Sequence, residues 1–236
     1  MSGFAGARRW RWLGIGAAVV AVLAIAGPYT YIHFFEGEAP RPFAVAASPS
    51  TTRPTGWTGS DSGSVSGTWK LTGGSQAGYR VNEVLFGQNS GAVGRTSRVT
   101  GQMAIQGTSV TSATFSVDLT TVRSDRSQRD AQFQQRIMQT ATYPTATFTL
   151  SSPIELPSVP ANGANLTVRA SGRLALHGTT RTVTVGLTAQ RSGDTIRVSG
   201  QIPVIFADWN IPSPSFGPVS TDDHGQIEFL LVFARV

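Results

Sequence analysis

The sequence predicts an all-β fold, an antiparallel sheet closed as a sandwich or a barrel, carried behind an N-terminal transmembrane helix. Three observations predict it. From Gly67 onward apolar side chains recur at every second position, the period of a half-buried strand. Short turn signals such as "HGTTR" (177–181) and "RSGDT" (191–195) separate these runs, as hairpins require. Near the N-terminus the charge-free run "LGIGAAVVAVLAIAGPYTYI", Leu13 to Ile32, is long enough to span a bilayer, which takes about 20 residues.

The N-terminal elements follow from charge and composition. Arg8, Arg9 and Arg11 precede the apolar run, and Glu36 and Glu38 follow it. Excess Arg marks the cytoplasmic side, so residues 1–12 form a cytoplasmic basic segment and residues 13–35 the anchor. Trp10, Trp12, Tyr29 and Tyr31 flank the run, as interfacial aromatics do. A cleaved signal peptide is the rival, with "AVAAS" at 44–48 as its small-residue site. The run exceeds a signal h-region and that site lies well beyond its end, which favours an uncleaved single-pass anchor in the cell membrane with the C-terminal part extracytoplasmic. Residues 36–66 are rich in Pro, Ser, Thr and Gly, too poor in apolar surface to order themselves, and read as a disordered stalk.

Residues 67–236 form the folded domain. Phe115, Val117 and Leu119 alternate with Thr114, Ser116 and Asp118. Leu166, Val168, Ala170, Leu174 and Leu176 share a face with Gly172; Val183, Val185 and Leu187 continue the pattern. Ile196, Val198, Ile202, Val204 and Phe206 make another strand face, and Ile227, Phe229, Leu231 and Phe233 the last. One apolar face per strand implies antiparallel pairing. The exception is "SDRSQRDAQFQQRIMQTATYP" (124–144). Ser127 followed by Asp130 fits a capping box, Phe133, Ile137 and Met138 sit at helical spacing, and Tyr143-Pro144 stops the helix. This stretch reads as a short helix laid over the open end or side of the sheet.

Composition narrows the function. The 236 residues contain no cysteine, which removes disulfides, thiolate metal sites and Cys nucleophiles. The net charge is +6 and Lys70 is the sole lysine, but the arginines are dispersed, unlike a nucleic-acid footprint concentrated on one face. His177 sits in a turn without a "GxSxG" elbow, and reads as a turn residue rather than a base. His224 with Asp222 and Asp223 reads as a solvated loop, since no second cluster supplies metal ligands.

The order "VDLTTVRSDRSQRDAQFQQRIMQTATYPTATF", "GRLALHGTTRTVTV" and "FADWNI" resembles the YceI-like family from about Thr68 to Val236. The matching positions include Ser124, Arg129, Asp130, Tyr143, Pro144, Phe148, Gly172, His177, Gly178, Thr180 and Arg181. The resemblance implies an antiparallel lipocalin-like β-barrel of about eight strands with one short helix and a long apolar pocket. It implies a periplasmic or cell-envelope protein of bacterial type that binds a polyisoprenoid or other long-chain lipid, with no catalysis and no cofactor. Candidate pocket residues are Phe86, Phe115, Val117, Phe133, Ile137, Met138, Phe148, Phe206 and Trp209. Arg129 and Asp130 are candidate contacts for a polar head at the mouth. Each has a plainer reading: the apolar residues as a filled core, Arg129 and Asp130 as a cap and a loop ion pair. The alternative function is a ligand-free structural or interaction module of the cell envelope.

Overall fold

A computed structural model describes residues 39–45, 64–85, 88–215 and 219–236. The expected anchor at 13–35 and Phe86 lie outside them. Among the described residues no helix is long and apolar enough to cross a membrane.

Among the described residues twelve strands make one antiparallel sheet. They are β1 (Gly67–Leu71), β2 (Gln76–Leu85), β3 (Gln88–Thr96), β4 (Val99–Gln106), β5 (Ser109–Asp118) and β6 (Thr145–Leu150). Then come β7 (Ile154–Glu155), β8 (Asn165–Leu176), β9 (Thr179–Ser192), β10 (Thr195–Ile205), β11 (Val219–Thr221) and β12 (His224–Arg235). The hydrogen-bonded order β1–β4–β5–β6–β8–β9–β10–β12 closes on itself because β12 also pairs with β1, Phe233 opposite Leu71. The sandwich alternative is thereby settled in favour of a closed eight-stranded barrel. Closure removes the free edges that an open sheet would expose.

The alternation read from the sequence sets the inside of this barrel. Ala170, Leu174 and Leu176 on β8, Val185 on β9, Ile196, Ile202 and Val204 on β10, and Phe229, Leu231 and Phe233 on β12 are all buried in one cluster. The β8–β9 hairpin turns on His177 and Gly178, with φ of 48° and 74°. Two consecutive left-handed residues match the twist of the flanking strands. Gly178 also cannot carry a Cβ, which would stand 2.7 Å from the Tyr143 ring. At one end of the barrel Trp69 is fully buried, its indole N–H donating to the Val65 carbonyl at 2.9 Å.

The opposite end is covered by α1 (Ser127–Gln132), which widens into a π-turn over Phe133–Ile137. Three expectations are corrected here. Ser127 is not the cap; Arg126 occupies that position without a side-chain cap bond. The Asp130 carboxylate instead accepts from the Ser124 N–H and hydroxyl, both at 2.7 Å, and so ties the preceding loop to the helix. The helix also ends before Tyr143-Pro144, because Gln139 adopts a φ of 46°. Phe206, expected within a strand, opens a 3₁₀ turn over Phe206–Trp209.

The outer wall carries a further correction. Residues 39–45, inside the stretch expected as a disordered stalk, lie on the barrel. The Pro40 carbonyl accepts from Arg80 and the Arg41 carbonyl from Arg95. The Arg95 guanidinium sits 3.9 Å above the Phe43 ring, and the Val45 N–H donates to Ser199 Oγ at 3.3 Å. Beneath this segment Glu228, with no exposed surface, is held by Arg95 at 2.7 Å and Arg80 at 3.3 Å. Gly78 stands between Glu228 and Arg95 in the register. Any Cβ there would meet the Arg95 side chain and the Gly94 carbonyl.

Candidate functional site

Among the described residues, a larger and a smaller cavity lie within the barrel. The larger, about 410 Å³, is at the α1 end. Its strand walls are Val117, Ala146, Leu176, Val204 and Ile227, and its cover is Phe133, Ile137 and Met138. In a regular helix Phe133 and Ile137 would share a face, but Met138 would point about 140° away from Phe133. In the π-turn the Met138 N–H donates to the Phe133 carbonyl at 2.8 Å, five residues back, and all three face inward. Such widened turns recur at functional sites. The smaller cavity, about 120 Å³, fills the far half and has almost wholly apolar walls. Between the two stands an aromatic layer: Phe115 lies 5.3 Å from Phe148 and 5.4 Å from Phe229, ring centre to ring centre.

The charged residues lining the larger cavity are Glu83, Arg126 and Arg129. Glu83 points inward from β2, and Arg129 of α1 meets it at 3.3 Å. Arg129 also pairs with Asp125 one turn back. Burial works to lower the Arg129 pKa, but Glu83 and Asp125 outweigh it and the net shift is upward, so this guanidinium is a fixed cation. Opposite Glu83 in the register, Thr221 lines the same rim. Its hydroxyl is buried without a hydrogen-bond partner among the described residues. Buried polar groups are normally satisfied, so this hydroxyl is an open valence for a ligand or water. Tyr79 stacks on Phe133 with ring centres 5.0 Å apart. Burial raises its pKa, with Arg129 opposing and nearby carboxylates adding to the rise, so the phenol stays neutral.

The structure distributes the expected site residues unevenly. Val117, Phe133, Ile137, Met138 and Phe206 line the larger cavity and Arg129 its rim. Phe115 and Phe148 line the smaller one from the dividing layer. Asp130 does not face a cavity, because its carboxylate is turned to Ser124. Trp209 is buried but lines neither cavity; its carbonyl lies 3.2 Å from His177 Nδ1. That contact, together with the Tyr143 ring at 4.6 Å, accounts for His177 as a turn residue. Exposed His224 leans on Asp223 at 2.8 Å, a hydrogen bond that raises its pKa. Sequence reasoning missed Tyr79, Glu83 and Thr221. For Glu83 a signal existed: Tyr79, Val81 and Glu83 share one register of "YRVNE", which puts a carboxylate on an otherwise apolar inner face.

Residues 69–233 match the model of the YceI-like domain. Among curated protein sequences none matches the chain. Among solved structures, a polyisoprenoid binding domain from Saccharophagus degradans implicated in plant cell wall breakdown superposes with a TM-score of 0.58 at 20% identity. The match covers 71% of this chain and 98% of that one. BcnA from Burkholderia cenocepacia superposes with a TM-score of 0.53 at 24% identity over 67% of this chain and 95% of that one. With a closed eight-stranded barrel, a helix-covered cavity and a domain match over most of its length, the chain belongs to the YceI-like domain family.

Proposed function

We propose that the protein binds a long apolar isoprenoid-type chain inside its barrel, as a membrane-tethered extracytoplasmic lipid carrier. The observation that carries this reading is the cavity of about 410 Å³, lined mainly by apolar side chains, with Glu83, Arg126 and Arg129 as its charged residues. Burying the chain supplies roughly 25 cal/mol per Å² of apolar surface before ordering costs. Val117, Phe133, Ile137, Met138 and Phe206 hold the chain, and Arg129, Glu83 and Thr221 take its polar end. The dividing layer of Phe115 and Phe148 sets where the chain stops. Membership of the YceI-like family and the polyisoprenoid binding of the Saccharophagus domain support the cargo class. The apolar run at 13–32 supports the tether.

Native mass spectrometry of residues 39–236, purified without denaturant and compared with an organic extract, tests the cargo. The expected result is a stoichiometric added mass recovered as an isoprenoid or acyl chain. Ile137→Arg should lose it, and Arg197→Ala on the outer wall should keep it. An apo mass that stays unchanged after incubation with isoprenoid quinones and polyprenyl lipids would instead make the barrel a ligand-free envelope module.

A further inference from the structure

We propose that the docked segment 39–45 orients the barrel, holding the cavity mouth against the membrane and the far end away from it. The inference rests on the tether reading above and adds a direction to it.

The direction comes from where the segment begins. Ala39 packs beside Gly91 on the outer wall, within 3.5 Å of where a Cβ on that glycine would stand. Gly91 pairs with Asn82, one residue from Glu83 at the cavity mouth. From there the segment descends: Pro40 engages Arg80, Arg41 engages Arg95, and Val45 reaches Ser199. Ser199 pairs with Leu230, and Leu230 with Gln76. Six residues of β2 separate Gln76 from Asn82, so at about 3.3 Å per residue the segment drops about 20 Å along the strands. The chain preceding Ala39 therefore leaves the barrel at the mouth end.

Reach then decides the orientation. Residues 33–38 separate Ile32, the end of the apolar run, from Ala39. Fully extended they cover at most about 25 Å. The barrel is taller than that: the 12 residues of β12, at about 3.3 Å each and tilted as barrel strands are, span about 30 Å. A tether of this length brings the mouth to the bilayer surface and cannot bring the far end there. The cavity then opens toward the phase in which long apolar lipids reside, and a lipid can pass into it without crossing water. Ile205, outward-facing and about half exposed, sits on this same rim, opposite His224 at the start of β12.

The test uses the full chain, whose lack of cysteine allows single labels. Ile205→Cys marks the mouth and Val159→Cys, in the loop before β8, marks the far end. Each carries a bimane donor in phosphatidylcholine–phosphatidylglycerol vesicles containing a headgroup-labelled acceptor lipid. Strong energy transfer at 205 and near-background transfer at 159 is the expected pattern. A flexible Gly-Ser insert of about 20 residues between Glu38 and Ala39, adding on the order of 25 Å, should erase the difference. The same insert between Ser50 and Thr51, after the docked segment, should leave it intact. Equal transfer at the two labels in the unaltered chain, or a difference that survives the insert before Ala39, overturns the orientation. Vesicle flotation in the same samples reads the tether itself. A chain that does not float removes the tether and this inference together, whereas a chain that floats with equal transfer removes the inference alone.

Discussion

Removing Arg129 and removing Glu83 should not be equivalent, although they form one ion pair. The side chains are 17% and 16% exposed, with their charges 3.3 Å apart. At an effective dielectric near 20 the gross attraction is roughly 4–5 kcal/mol, most of it offset by desolvation. Arg129→Ala leaves the Glu83 carboxylate facing an apolar cavity, with no other ion-pair partner among the described residues. Stripping one member of a fully buried pair costs about 3–5 kcal/mol, and an exposed pair is worth about 0.2–1 kcal/mol. This mostly but not fully buried site should lose about 2 kcal/mol, between those limits. Glu83→Ala leaves Arg129 still paired with solvent-exposed Asp125, and should lose about 1 kcal/mol or less.

The larger loss comes from the stranded carboxylate, since a buried charge left without its partner is costly. Adding Glu83→Gln to Arg129→Ala should therefore recover most of the deficit. Urea unfolding of the four proteins reads these differences. Equal losses for the two single variants, or no recovery in the double variant, would refute the reasoning.

Three further outcomes can be checked directly. Phe115→Ala removes one ring of the layer that divides the cavities. It should cost about 3–5 kcal/mol in denaturant unfolding and shift the bound lipid toward longer chains in native mass spectrometry; an unchanged chain length would show that the layer is no stop. Gly172→Ala places a Cβ 2.2 Å from the Phe148 ring, and should cost about 1–3 kcal/mol through overpacking, read as a lowered Tm. Tyr79, its pKa raised first by burial, keeps its full contribution below about pH 10 and loses it as pH climbs beyond. Tyr79→Phe should therefore flatten the alkaline decline in stability, and an identical decline in both proteins would contradict the burial argument.

Much of the barrel was legible because its chemistry is local. The inward set from Ala170 to Phe233 follows from period 2 alone, and the His177-Gly178 turn from its dipeptide. Barrel closure was not legible this way. It depends on β12 pairing with β1 across almost the whole sequence, and no local pattern reports that; the choice over a sandwich came through the family resemblance. The helix was placed correctly but its ends were not. Ser124, outside the expected capping box, competes better for Asp130 than the helix N-terminus does, and the left-handed Gln139 stops the helix early. Docking of residues 39–45 was hidden by composition. Averaged over 36–66 the stretch is polar, yet Phe43 and Val45 alternate toward the wall, and its carbonyls serve two arginines whose carboxylate lies far along the chain.

That outer-wall cluster and the cavity mouth are chemically opposite solutions on adjacent strands. Arg95 and Arg80 close completely on Glu228, which has no exposed surface and needs no further partner. Arg129 closes only partly on Glu83, and the Thr221 hydroxyl beside them is left open. A fully satisfied charge cluster rigidifies a wall, whereas a partly satisfied one in a low-dielectric cleft is costly unless something completes it. The first arrangement fastens the N-terminal segment to the barrel. The second sits where a ligand's polar end would complete the hydrogen bonding. The two arrangements are also close in space: the fastened segment 39–45 begins beside Gly91, which pairs with Asn82, the neighbour of Glu83 at the opening.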